Sequence, residues 1–543
     1  MIRGGFAITN DYYGQALAVD WDLNNTLGFT SNYTTPANTY DTVAGNLAPL
    51  FTGFNQDIRT LPNVVVPGKL TFPQSQPLDE GERIEQGVAS DLHAPTEYVW
   101  NVTIERQLRA GITVSASYIG RSARSLLARR DIAAFNNVRD PKSGMTWYQA
   151  GTILEKQRQQ NVDTSKIASI PFFDNLFPAN LVGIMNADAS VQSDCGTGPS
   201  TPCFNPTWTP TQVFYGLQSR GQQQGDNPYA FFTANDWTDA EAYVDSALFR
   251  NGFPTRFMQQ QYGTLSTWDT IGNSNYNAFT VSVRERLRTL TLDFNYTYSH
   301  SLDDSSGLQS EDGFGNNTGN GAFIVNPIRQ RDSYASSDFD IRHLINVSAV
   351  WQMPFGKGKA FMNTENKALN AIVGGWQLSG IYRWNTGLPI VSPFDAHQWA
   401  TNWDFQSNST PTRPISSCPS SAGIPKLFGG CDIKGIYDSF RNAYPGETGP
   451  RNYLRLPGYM NVDLGLAKTW TMPWSEKQQL QIRWDVFNVA NLQRFGFIDN
   501  SRTGIGIAAD PGLQGLNPPS NWSNFTQIQG QPRVMQVGAR FSF

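Results

Sequence analysis

The sequence predicts an all-β fold, a partial antiparallel transmembrane β-barrel of about ten long strands with long extracellular loops and short periplasmic turns. Three observations predict it. Apolar and polar side chains alternate along several runs, charges inside these runs keep to the polar positions, and short and long connections alternate along the chain. Because successive side chains of a strand point to opposite faces, this sorting gives each strand one face suited to lipid and one suited to water.

The composition excludes several classes of protein. Only 16% of the 543 residues are charged and 13% are aromatic, whereas soluble domains average about 25% charged residues. The mean hydropathy is -0.40, and no apolar run approaches the roughly 18 residues that a membrane helix needs. The 41 basic and 45 acidic residues leave a net charge of -4, which argues against a nucleic-acid partner. A β-rich secreted protein and an outer-membrane barrel remain.

The cleanest alternation runs through Leu290, Leu292, Phe294, Tyr296 and Tyr298, with polar residues between them. Several such segments reach nine residues or more, as tilted membrane strands of about 9–11 residues require. The predicted strands lie near 3–12, 98–104, 112–118, 279–283, 290–298, 345–351, 376–384, 460–466, 480–486 and 535–543.

Charges within these strands fall on the polar side of the alternation. They are Glu105, Arg284, Asp293, Arg383, Asp463, Arg483, Asp485 and Arg540. An Arg or Lys facing lipid at mid-bilayer costs about 2–4 kcal/mol, so a lipid-facing surface should lack them. Lys468 breaks the pattern near a strand end, and we expect its stem to snorkel to the lipid headgroups.

The barrel domain is predicted to span residues 1–543, with its connections sorted by side. Long outer loops are expected at approximately 14–95, 121–270, 302–338, 388–457 and 490–532, and the turns between them are shorter. Aromatic residues are expected to mark both membrane edges. Tyr298 and Trp384 are predicted at the outer rim, and Trp351, Trp376, Trp470 and Phe541 at the inner rim.

Four cysteines fall as two local pairs in loops rich in Gly, Pro, Ser and Thr. We predict disulfides that join Cys195 to Cys203 and Cys418 to Cys431, as in chains that fold in an oxidising space. Four unrelated thiols are the alternative. The N-terminus has no signal-peptide pattern, so the chain is expected to begin inside a longer gene product.

No catalytic motif, cofactor motif or metal-binding motif was found, so the sequence predicts a protein that is not an enzyme and uses no cofactor or metal. Asp303 and Asp304 belong to an acidic stretch that is either a solvated loop or a calcium-holding, ligand-contacting one. Aromatic residues in an Asn-rich loop either stack on a ligand or pack the loop. They are Phe394, Trp399, Trp403 and Phe405.

Several segments, taken in order, resemble one known family. They are residues 3–6, 98–108, 116–121, 274–278, 296–304, 338–343, 354–356, 374–380 and 485–489. Together they resemble the barrel of a TonB-dependent outer-membrane receptor of the Oar-like type, specifically its C-terminal portion without plug domain or signal peptide. The last strand resembles the signature that the barrel assembly machinery reads. It consists of Met535, Val537, Ala539, Phe541 and Phe543.

The resemblance implies an outer-membrane receptor or transporter for TonB-coupled uptake of a siderophore, a glycan or a peptide. Its expected partners are outer-membrane lipid, the assembly machinery and that ligand, and TonB itself is expected to act only through an N-terminal part that is missing here. Two alternatives stay open. One is a secreted β-rich protein that binds or hydrolyses carbohydrate, and the other is a passive porin or adhesin barrel.

Overall fold

The computed structural model describes residues 1–11, 84–108, 111–133, 137–160, 162–195, 202–219, 237–257, 264–287, 289–306, 324, 326–390, 409–420, 423, 425–441, 443–498, 518 and 522–543. Antiparallel strands make up most of its regular structure. No helix in these segments is long and apolar enough to cross a membrane.

The strands are numbered in chain order. They are β1 Ile2–Asn10, β2 Ile84–Val88, β3 Thr96–Gln107, β4 Ile112–Asp131, β5 Thr264–Arg286, β6 Leu290–Asp303, β7 Ala335–Ser336, β8 His343–Gln352, β9 Trp376–Asn385, β10 Pro389–Ile390, β11 Thr410–Pro411, β12 Phe440–Arg441, β13 Leu454–Arg455, β14 Tyr459–Met472, β15 Ser475–Phe487, β16 Arg494–Ile498, β17 Phe525–Gln529 and β18 Val534–Ser542. The helices are α1 Trp147–Gln159, α2 Pro171–Leu176, α3 Leu181–Ala187, α4 Ala189–Cys195, α5 Pro210–Ser219, α6 Trp237–Arg250, α7 Lys367–Val373 and α8 Ile433–Tyr437.

Ten strands form one antiparallel sheet in the order β1-β3-β4-β5-β6-β8-β9-β14-β15-β18. The predicted set of about ten long antiparallel strands is therefore confirmed. The short strand β2 adds a parallel pairing to β5, and β7 pairs with the outer end of β6. Every residue of the two edge strands, β1 and β18, is exposed, and the sheet is open at these edges.

The register keeps the two predicted faces separate across the sheet. Val347 lies opposite Phe294 on one side and Tyr382 on the other, so apolar residues face one way. Asp293 lies opposite Arg284 and Ser348 on the other face. A slip of one residue would exchange the faces, so this agreement fixes the register of each pair.

Within the described part of the chain, no protein layer covers the apolar face. Phe6 is 66% exposed and Trp484 is 45% exposed, and Ile104, Phe279 and Val537 are exposed in the same way. A soluble β-sandwich would pack these side chains against a second sheet. A continuous exposed apolar surface of this extent is an interaction surface, and lipid is the partner that such a tall, charge-poor band fits.

In its described residues, the predicted loop 121–270 contains the ends of two long strands and several helices, which the sequence did not predict. β4 continues to Asp131 and β5 begins at Thr264, and helices α1 to α6 lie between them. A capping box at Thr146 and Gln149 begins α1. These helices share one aromatic core, which we call the helical cap, in which Trp147 lies 5.0 Å from the ring of Phe257 and 5.9 Å from that of Phe173.

A second, smaller core forms above the other half of the sheet, and we call it the disulfide cap. It combines α8 and β10 to β13 with Trp522 from the β15–β18 connection. Trp522 stacks on Phe428 at 5.2 Å and meets Tyr437 edge-on at 5.2 Å. The two caps touch at Gly446, where a Cβ atom would lie only 2.1 Å from the Tyr148 ring, so only glycine fits.

The expectation for Lys468 is also corrected. Its side chain does not snorkel to headgroups, because the ammonium donates to the carbonyl oxygens of Ile372, at 3.1 Å, and Gly374 at the end of α7. The ammonium also lies 5.2 Å from the Trp376 ring and 5.3 Å from the Trp470 ring. Helix C-termini carry free carbonyl groups that attract cations, so α7 provides the polar partner at this rim.

Candidate functional site

The polar face of the sheet carries cross-strand and same-strand ion pairs. Arg284 pairs with Asp293 at 3.3 Å, and Arg483 pairs with Asp485 at 2.6 Å. The arginine of each pair is more than half exposed, so each contributes roughly 0–1 kcal/mol to stability. These ion pairs matter as evidence of environment, because charged pairs on one face of a sheet indicate that this face is exposed to water.

A cavity of about 400 Å³ opens at the end of this wall where β14 begins and β15 ends. Its floor is formed by Asp463 of β14, Phe487 of β15 and Val534 of β18. Leu464 pairs with Val486, and Phe487 pairs with Val534, so these three floor residues form one row on the polar face. The cavity volume falls within the range of small-molecule sites, roughly 300–1,000 Å³.

Asn488 fixes the wall of the cavity where β15 ends. Its φ of 51° is left-handed, a conformation that Asn tolerates better than most residues. Its backbone N–H donates to Asp463 Oδ1 at 2.8 Å, and its Nδ2 donates to the carbonyls of Leu492 and Gln531 at 3.2 and 3.0 Å. One side chain thus ties the start of the β15–β18 connection to its end.

Arg494 lies above the cavity floor, at the start of the hairpin β16–β17. The residue is 9% exposed, and its guanidinium carbon lies 3.1 Å from the centre of the Tyr459 ring. Its Nη1 is buried and has no hydrogen-bond partner among the described residues. Desolvation by burial lowers the pKa of Arg494. Because arginine stays protonated at neutral pH, the cavity contains a poorly solvated positive charge.

The predicted acidic pair is engaged in structural contacts. Asp303 is 3% exposed and pairs with Arg451, which also reaches Asp338 at 3.1 Å. Asp304 is 4% exposed and accepts from the side chains of Asn273 at 3.0 Å and Gln330 at 3.2 Å. Burial raises the pKa of Asp304 despite these hydrogen bonds. The described residues contain no group of three or more His, Cys, Asp or Glu side chains placed to hold a metal ion.

Asp340 is the centre of a second network at the outer rim. Its carboxylate accepts from the Ser301 N–H at 2.8 Å, pairs with Arg342 at 3.1 Å, and contacts Arg455 and His300. Burial raises the pKa of Asp340, but the hydrogen bonds from Ser301, Arg455 and His300 outweigh it and hold that pKa below its usual range. Arg455 belongs to β13, so this network joins the disulfide cap to the sheet.

The structure places the remaining predicted site residues as follows. Cys418 and Cys431 form a disulfide in the disulfide cap. Cys203 is disulfide-bonded, and the side chain of Cys195 lies outside the described residues, as do the four aromatic residues Phe394, Trp399, Trp403 and Phe405. The C-terminal signature, with Met535, Val537, Ala539, Phe541 and Phe543, occupies the edge strand β18 and the terminal residue.

Sequence reasoning missed Tyr459, Asn488 and Arg494 as members of a site. The one available signal was the pair of asparagines that follow β15, Asn488 and Asn491, which both adopt left-handed φ values. Asparagine at such positions indicates a tight turn. No sequence signal marks Arg494, because its burial depends on the hairpin that folds over β14.

Comparison with known proteins gives one family and several solved structures. A family model described as "Outer membrane beta barrel domain" matches residues 1–536. The search of curated proteins finds no match. The chain is similar to the outer membrane transporter YddB from Escherichia coli, with 9% identity, a TM-score of 0.27, and coverage of 76% of this chain and 31% of that one.

Two further solved structures give similar values. The ferric-catecholate import receptor Fiu from E. coli K12 matches at 6% identity and a TM-score of 0.28, over 83% of this chain and 28% of that one. The siderophore receptor PirA from Acinetobacter baumannii matches at 8% identity and a TM-score of 0.27, over 83% of this chain and 32% of that one. The chain therefore spans about a third of the length of each solved structure.

Proposed function

Because the chain belongs to the outer membrane beta barrel domain family, we propose that it is a receptor and transporter barrel for a small ligand, of the TonB-dependent kind. Its location is the bacterial outer membrane. The finer assignment, to Oar-like receptors, rests on the ordered segments of the sequence that resemble that type. We propose no enzymatic role.

One observation supports this function most directly, namely the separation of the sheet into two differently exposed faces. The apolar face is exposed and poor in charge, whereas the polar face carries paired charges and a cavity at one end. A transporter barrel needs lipid on the first face and a solute on the second. An adhesin would need no cavity in its polar wall, and a secreted sandwich would cover its apolar face.

The outer loops support ligand recognition in the same place. The helical cap and the disulfide cap meet through Tyr148 and Gly446, and Arg455 joins the disulfide cap to Asp340 beside the sheet. Folded caps above a polar wall can contact a solute before that solute enters the barrel. We propose that the ligand is a siderophore, a glycan or a peptide, that TonB supplies the energy, and that the barrel assembly machinery inserts the chain through its last strand.

The test is solute depletion by cells that express the protein, compared with cells that lack it. A defined mixture of siderophores, glycans and peptides is followed by mass spectrometry, with and without a protonophore. We expect one class of solute to disappear only from energised, expressing cells. Depletion that is unchanged by the protonophore would favour a passive porin. Binding of a solute at the cell surface without depletion would favour an adhesin. Recovery of the protein from the soluble fraction would exclude a membrane role.

A further inference from the structure

The cavity beneath Arg494 is lined by a buried guanidinium whose Nη1 has no hydrogen-bond partner among the described residues. Arg494 is nine-tenths buried. The face of its guanidinium lies against the Tyr459 ring, and the guanidinium also donates a hydrogen bond to the Tyr459 side chain. Buried polar groups in native proteins nearly always have partners, so an unsatisfied donor at a cavity wall is available to a group that arrives from outside. We propose that this cavity binds the carboxylate of a small monoanionic ligand, and that Arg494 recognises it.

The geometry of arginine favours an oxyanion as the partner. A guanidinium presents its N–H donors at its edge and can pair with a carboxylate through two parallel hydrogen bonds. Because Tyr459 covers the face of the guanidinium and accepts one hydrogen bond, the buried Nη1 at its edge is the part of Arg494 that remains for a ligand. Such pairs gain strength where water is excluded, and the burial of Arg494 meets that condition.

The rest of the lining decides which anion fits. Phe487, Leu492, Pro532 and Val534 supply apolar surface, which suits a ligand with a hydrophobic body. Asp463 also lines the cavity, and its Oδ1 already accepts from Asn461 Nδ2 at 2.8 Å and from Asn488 N–H. Its negative charge disfavours a phosphate, which carries about two charges at neutral pH, more than it disfavours a carboxylate. A monoanion on an apolar body is therefore the best match.

The ligand must come from water rather than from the bilayer. The floor residues Asp463, Phe487 and Val534 lie on the polar face of the sheet, opposite to the face that carries the exposed apolar band. A lipid headgroup would have to pass the sheet to reach Arg494. This inference rests on the proposed function, because it takes the polar wall to be the path of the solute.

The experiment uses the full chain in detergent micelles and three probes: benzoate, its uncharged counterpart benzamide, and inorganic phosphate. Titration calorimetry gives the dissociation constant of each. For the wild-type protein we expect benzoate to bind at least ten-fold more tightly than benzamide and more tightly than phosphate. Absence of benzoate binding, equal binding of benzamide, or tighter binding of phosphate would each overturn the proposal.

Variants then assign the binding to the residue. Arg494→Gln should lower the affinity for benzoate at least ten-fold and leave the affinity for benzamide unchanged. The control Arg540→Gln removes an exposed arginine from the polar face of β18, far from the cavity. It should change the affinity for benzoate less than two-fold. Heat-modifiable migration on a gel checks that each variant is folded. If Arg494→Gln fails that check, Arg494→Lys is used in its place. An ammonium group cannot form two parallel hydrogen bonds with a carboxylate, so the affinity for benzoate should fall at least three-fold.

Unchanged benzoate affinity in the folded Arg494 variant would overturn the assignment. This failure is distinct from failure of the proposed function, because energised solute depletion by cells does not depend on benzoate. Depletion that persists while benzoate fails to bind would leave a transporter whose ligand is recognised elsewhere.

Discussion

Placing a charge at the centre of the apolar face tests the membrane assignment most directly. Val347 is the fifth of ten residues of β8 and lies between Phe294 and Tyr382. Ten residues at about 3.4 Å each span roughly 34 Å, which a tilt of about 40° reduces to about 26 Å, close to the apolar band of about 25 Å in such barrels. Val347 thus lies near the bilayer midplane.

Val347→Arg should therefore cost about 2–4 kcal/mol of the free energy of unfolding, the penalty for arginine at the midplane of a membrane barrel. This equals a fall of about 30- to 900-fold in the folding equilibrium constant. The matched control is Ser348→Arg, the next residue, which lies on the polar face opposite Asp293. There the new arginine gains at most a surface ion pair of roughly 0–1 kcal/mol.

Guanidinium titration of the protein in lipid vesicles, followed by tryptophan fluorescence, measures both variants. The cost of Val347→Arg should also shrink in vesicles of shorter-chain lipid, since the guanidinium then lies nearer to the headgroups. A protein core would not respond to lipid length. Equal effects of the two variants, or a larger effect of Ser348→Arg, would refute the assignment of the faces.

Three further predictions concern the outer part of the molecule. Trp147→Ala should destabilise the helical cap by about 3–5 kcal/mol, because Trp147 is 2% exposed. The control Ile153→Ala changes a 38% exposed site of the same helix and should alter stability by about 0.5 kcal/mol or less. Equal protease sensitivity of the two variants would contradict this prediction. Asp340 has a lowered pKa in the folded chain, so its stabilising contribution is complete above the ordinary pKa of 3.8 and is lost as the pH falls through the folded value. The stability of the wild type should therefore fall more steeply with acid than that of Asp340→Asn. Parallel curves of stability against pH would count against the network. Cys418→Ser should cost the disulfide cap roughly 3 kcal/mol, the chain-entropy value for a loop of this size, since Cys431 is 13 residues away; unchanged proteolysis of this cap would show that the bridge is dispensable.

The sheet could be predicted from the sequence because the alternation is local and strict. Phe294, Val347 and Tyr382 stand at alternating positions of three separate segments, and the pairing of these segments brings the three together on one face. Any register that buried a charge on that face would be penalised, so pattern and pairing agree. Short connections within the pairs β3–β4, β5–β6 and β14–β15 left few other arrangements for these strands.

The helical cap could not be predicted in the same way. Its helices have between six and fourteen residues, and helices this short are stable only through tertiary packing. The aromatic core that holds them is assembled from Trp147, Phe214 and Phe257, which are far apart in sequence. The local signals, such as Thr146 with Gln149 at the start of α1, were present but are too weak alone to outweigh a loop-like composition.

The site shows the same limit at the level of single residues. Lys468 and Arg494 both lack a carboxylate partner in the described part of the chain, yet they differ in what surrounds them. Lys468 is provided with carbonyl oxygens by α7 and with two tryptophan rings, so its charge is satisfied within the chain. Within the part of the chain that the structure describes, Arg494 contacts the ring of Tyr459 and hydrogen-bonds to its side chain, and its Nη1 has no acceptor at the cavity. Since Asn488 joins that cavity to the register of β14 through Asp463, the recognition of an anion and the pairing of the last strands depend on the same hydrogen bonds. A barrel that misaligned these strands would lose the cavity before it lost the sheet.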